Sequence, residues 1–66
     1  MDRETHQRYL DYRERHAYFG ASTKLLPPAE FETLDREHAA LAAREAELDD
    51  EERVRFEEVA TLLLRD

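Results

Sequence analysis

An all-α fold, a small helical hairpin or three-helix unit that oligomerises into a bundle, is what this sequence of 66 residues predicts. Three observations predict it. Glycine and proline are confined to one break, between Gly20 and Pro28. Apolar residues elsewhere recur at helical spacing, and alternation of period two is nowhere sustained. Charge also changes character at the break: residues 1–24 carry five basic and four acidic side chains, and residues 25–66 carry five and thirteen, which splits a net charge of −7 into +1 and −8. One helical domain over 1–66 is expected, with helices at about 3–19, 28–48 and 50–64 and a loop at 20–27.

The first segment opens with Asp2 as N-cap and closes just before Gly20. At about 100° per residue, Thr5, Tyr9, Tyr12, His16 and Phe19 fall on one face. Tyr9, Tyr12 and Phe19 are therefore core candidates. Glu4 to Arg8 and Asp11 to Arg15 are i,i+4 pairs in the favourable order.

Pro27-Pro28 ends the connection, because proline suits a first helical turn and its predecessor resists helix. Leu26 is expected to fold back near Phe31 as a hydrophobic staple. The second segment places Phe31, Leu34, His38, Leu41, Glu45 and Leu48 at spacings of 3, 4, 3, 4 and 3, which is heptad spacing with two polar members. In the third segment Asp49, with Glu52 three residues on, reads as a capped start, and Phe56, Val59, Ala60 and Leu63 form the stripe.

No Gly or Pro separates the second and third segments, so one helix of nearly forty residues competes with two. The interval of eight from Leu48 to Phe56, where heptads want seven, favours a break. If the first two helices run antiparallel about Lys24, His38 lies across from Tyr9–Tyr12. Glu45 then lies across from Arg3–His6, where an ion pair would set the register.

Size and composition limit the rest. A chain this short buries only about 60% of its unfolded surface. Without Cys it has neither disulfides nor a Cys₄ zinc site, so a second copy or a protein partner is the expected source of added stability. The polar start Met1-Asp2-Arg3-Glu4-Thr5-His6 and the short apolar run Leu62-Leu63-Leu64 point to a cytoplasmic chain with no signal peptide and no membrane contact. Arg outnumbers Lys nine to one, the usage of a GC-rich bacterial genome.

Chemistry is sparsely signalled. Asp35-x-x-His38 is half of a carboxylate-type bundle metal motif, and Arg3 and Arg13 stand at the matching position before His6 and His16. No metal or other cofactor is expected. Asp49-Asp50-Glu51-Glu52 lacks the alternate spacing and central glycine of a calcium loop and reads as a helix start. One Ser and one Lys, both in the loop, and no Gly-rich cradle argue against an enzyme with a small-molecule substrate. Thirteen acids after the break, and no Asn or Gln there, do not suit a recognition helix, so direct nucleic-acid binding is not expected.

What remains is protein binding. Tyr18, Leu25, Leu26, Leu62 and Leu64 are the apolar residues an intramolecular hairpin explains least, and they are the candidate partner surface. The sequence therefore reads as a small acidic, non-catalytic interaction module, an adaptor or regulator that self-associates or docks on a larger protein. An inhibitor whose carboxylate rows mimic nucleic acid, and a purely structural bundle dimer, are the alternatives.

Overall fold

A computed structural model describes residues 1–20 and 22–65, and among them there are three α-helices and no strand. Helix α1 covers Arg3–Phe19, α2 covers Pro28–Ala42 and α3 covers Asp50–Leu62, with one 3₁₀ turn at Glu45–Glu47. The chain is thus a compact three-helix unit. Among the described residues no helix is long and apolar enough to cross a membrane.

Local chemistry sets each boundary. The Asp2 carboxylate accepts the Thr5 N–H at 2.8 Å, which satisfies a free donor at the start of α1. At the other end the Gly20 N–H donates to the His16 carbonyl at 2.9 Å. A Cβ on Gly20 would stand 2.7 Å from the His16 ring and 3.0 Å from its Cα, so glycine is required here by close approach. The same ring reaches the Thr23 carbonyl, Nε2 to oxygen 2.6 Å, and pins the loop.

Pro27 caps α2 in an extended conformation and Pro28 fills its first turn. Leu26, one residue before that cap, packs on the core that contains Phe31, as a staple does.

Helix α2 stops at Ala42 rather than Leu48. The chain turns through residues 43–44 and the 3₁₀ turn, and Leu48 is extended and buried. A reciprocal capping box rewards the break. Asp49 accepts the Glu52 N–H at 2.8 Å while the Glu52 carboxylate accepts the Asp49 N–H at 3.3 Å. Arg44 spans the turn to Glu52 at 2.9 Å. The two-helix reading of this region is the one observed.

Helix α3 ends in a Schellman turn, with Leu64 N–H to Thr61 carbonyl 3.0 Å and Arg65 N–H to Ala60 carbonyl 2.8 Å. The left-handed position belongs to Leu64, at φ 58°, where glycine is usual. That conformation costs a side-chain-bearing residue about 1–2 kcal/mol.

The core joins Tyr9 and Tyr12 of α1, Phe31 of α2, and Val59 and Leu63 of α3 and its cap. Leu26, Leu34 and Leu64 pack around it. Phe31 is fully buried, with ring centroids 5.1 Å from Tyr9 and 5.3 Å from Tyr12. Helices α2 and α3 are antiparallel: Asp35 of α2 meets Arg65 just past the end of α3, while Arg44 just past α2 meets Glu52 in the first turn of α3. Between them Glu37 meets Arg55, and His38 stacks on Phe56 at 5.0 Å.

Helix α1 does not run alongside α2. It crosses near the start of α2, so Tyr9 and Tyr12 face Phe31 and not His38. The expected hairpin register is corrected accordingly. The tyrosine hydroxyls fix the crossing by binding Leu26, just ahead of α2: Tyr9 donates to its carbonyl at 3.0 Å and Tyr12 accepts its N–H at 2.9 Å.

The resulting body is flat, 33 × 28 × 15 Å across its Cα atoms. Its accessible surface is 4948 Å², against about 4,400 Å² expected for a folded monomer of this mass.

Candidate functional site

Two features stand out from the packing: an aromatic tip on α1 and a buried ionic latch between the three helices.

The tip follows from the crossing. Thr5, Tyr9 and Tyr12 are buried along the inner stripe of α1, and His16 is half-buried over the loop. Phe19 continues the same stripe beyond the crossing, where no helix meets it, and is 77% exposed. It was expected in the core, and the early crossing of α2 is why it is not. Tyr18 beside it is 81% exposed, with the two ring centroids 5.6 Å apart. Arg13, Arg15, Lys24 and Leu25 are exposed in the same part of the chain.

The latch is centred on Asp35, which is 5% exposed. Arg8 of α1 grips its carboxylate in bidentate fashion, Nε to Oδ1 3.1 Å and Nη2 to Oδ2 2.9 Å, and also donates to the Thr5 hydroxyl at 3.0 Å. Arg65, just past α3, donates from Nη2 to Asp35 Oδ1 at 2.7 Å. Its guanidinium carbon lies 5.9 Å from the Phe31 ring centroid, and its Nη1 is 3.4 Å from His38 Nδ1. An arginine can only donate, so Nδ1 is the acceptor and the His38 proton sits on Nε2.

Electrostatics follow from that geometry. Burial alone would raise the Asp35 pKa, yet the hydrogen bonds from Arg8 and Arg65 outweigh it and hold the carboxyl below its usual range. Burial, reinforced by the Arg65 cation, pushes the His38 pKa down against a smaller opposing pull from Asp35, so its imidazole is neutral at pH 7.

A second ionic cluster lies nearer solvent. Arg55 of α3 binds Glu37 of α2 through Nε at 2.6 Å and Nη2 at 2.9 Å, and Glu58 through Nη1 at 2.5 Å. The hydrogen bond from Arg55 lowers the Glu37 pKa.

The remaining sequence candidates divide clearly. Leu25 and Leu62 are each 40% exposed. Leu26 and Leu64, expected at a partner surface, instead pack against the core, drawn in by the tyrosine clamp and the Schellman turn. Leu34, Leu41, His38 and Phe56 are half-buried, and Leu48, Val59 and Leu63 are buried.

Glu45 is exposed in the 3₁₀ turn and does not pair with Arg3 or His6 among the described residues. The register is held by Asp35 instead. The sequence did carry a signal for this, since Asp35 stands between Phe31 and His38 at i+4 and i+7 on an otherwise apolar face. Val54, 63% exposed on the outer side of α3, was also overlooked. Among the described residues no three metal-ligating side chains converge, and both Asp35 and His38 are turned to Arg65.

The chain matches no protein-family model, no curated protein and no solved structure.

Proposed function

We propose that this chain is a small acidic, non-catalytic docking module that binds another protein through its aromatic tip. One observation carries the reading: Tyr18 and Phe19 sit side by side at 81% and 77% exposure on a helix end that outruns its own fold. Aromatic residues accompanied by arginine are the usual anchors of protein interfaces. An isolated domain gains nothing by leaving two large rings in water. The excess surface of the flat body supports the same reading.

The partner is a protein with an apolar pocket for the two rings and, apart from it, a basic surface that meets the acidic residues of α2 and α3. The acidic remainder of the chain steers that encounter, an effect that acts on association rate and weakens with salt.

The test compares the wild-type chain with Tyr18→Ser/Phe19→Ser as bait, after circular dichroism has shown both to be equally helical. A protein retained by the wild type and lost with the variant supports the tip as the docking site. Identical recovery by both sinks it. Light scattering across a dilution series on the same samples shows whether a second copy of the chain is the partner, since such a dimer would also be lost with the variant.

A further inference from the structure

Phe31, Asp35 and His38 stand at i, i+4 and i+7 on the inner side of α2, and each meets a different part of one guanidinium. The Phe31 face lies under the planar cation at 5.9 Å. Asp35 accepts one arm of the fork at 2.7 Å, and neutral His38 faces the other at 3.4 Å. A lysine ammonium is a point charge without that planar fork, and it cannot lie flat on a ring while reaching two acceptors. Arg8 grips the same carboxylate from α1, so the receptor stays charge-compensated when its other side is vacated.

The present occupant is held in a strained way. Arg65 arrives through Leu64, whose φ of 58° is the only positive value at a non-glycine residue among those described. Its side chain is 19% exposed, so the mouth of the site opens to solvent. The strained residue, Leu64, is thus the link between Arg65 and the fully buried Leu63.

We propose that the Phe31–Asp35–His38 face of α2 is a guanidinium-binding site, that Arg65 is its tethered occupant, and that an arginine side chain of a protein partner takes its place when the Leu64 turn relaxes. The site is separate from the aromatic tip. Its test reads the isolated chain, so the two proposals stand or fall independently.

The experiment vacates the site with Arg65→Ala and titrates in methylguanidinium, with methylammonium as the control cation. The readouts are the thermal midpoint and the ring resonances of Phe31 and His38. The variant is expected to melt roughly 10 °C lower. Methylguanidinium at millimolar concentration should restore part of that loss saturably and shift both rings, while methylammonium does neither. Adding Asp35→Asn should abolish the response. An equal response to both cations, or to neither, overturns the proposal. Should Arg65→Ala fail to fold, Arg65→Lys decides. A lysine variant that matches the wild type in midpoint and His38 shift overturns the proposal, whereas one that melts lower and recovers with methylguanidinium supports it.

Discussion

The Tyr12 hydroxyl accepts the Leu26 N–H at 2.9 Å, so a residue in the middle of α1 satisfies the backbone of the loop that leads into α2. Tyr9 completes the clamp from one turn earlier by donating to the carbonyl of the same residue at 3.0 Å. Two rings therefore serve twice. Their faces build the core with Phe31, and their hydroxyls hold the backbone of the loop residue just ahead of α2.

Tyr12→Phe keeps the ring and removes the acceptor, which leaves the Leu26 N–H without its partner. The expected cost is about 1–2 kcal/mol by chemical denaturation. Amide exchange at Leu26 should accelerate in the variant while the core of α3 stays protected; unchanged exchange at Leu26 would show that the clamp is not what holds the loop.

Asp35→Asn separates the true register device from the one the heptad spacing suggested. It should cost about 3 kcal/mol, the low end for one partner of a buried pair, because the Arg8 side chain is 44% exposed. Glu45→Ala should change stability by less than about 0.5 kcal/mol. Urea midpoints of the two variants, measured side by side, give the contrast directly.

Acid should weaken the protein in two stages. The His38 pKa lies below its ordinary 6.5 in the folded state, so the unfolded chain binds that proton more readily. Its contribution to stability is complete above pH 6.5 and drains away as pH falls below it. The Asp35 and Glu37 pKa values lie below 3.8 and 4.5, so their contribution holds above those values and is lost on further acidification. Urea midpoints followed against pH should show both stages in the wild type, and His38→Gln should lack the first.

Leu64 offers a test with an inverted sign. Glycine is normally the worse choice against alanine, but at φ 58° the ranking should reverse. Both substitutions lose the leucine contact with the core, and only Leu64→Gly relieves the backbone. It should be more stable than Leu64→Ala by about 1 kcal/mol. Equal midpoints for the two would mean that the turn carries no strain.

Helix identity was legible in the chain because caps, prolines and the slip between Leu48 and Phe56 act within a few residues. The Asp2 and Asp49 caps and the Pro28 start all belong to that local class. The crossing of α1 over α2 was not, because periodicity says which face is apolar and nothing about where along its length that face is covered. Phe19 was misjudged for that reason, and so was the partner of His38. The heptad reading of 28–48 failed where a local capping box competed with the continued helix and won. Asp35 went unseen as the latch because its two arginines lie 27 residues before it and 30 after it.

A body only 15 Å thick also has a thermodynamic consequence. In so thin a body much of each helix remains hydrated before any unfolding begins. Melting then exposes little new apolar area, and the heat-capacity increment should fall at or below about 0.8 kcal/mol/K, the lower end for a chain of this length. The stability curve is correspondingly shallow, and the transition spreads over a wide range of temperature. A partner that covers one broad side of the slab would steepen that curve as well as raise it.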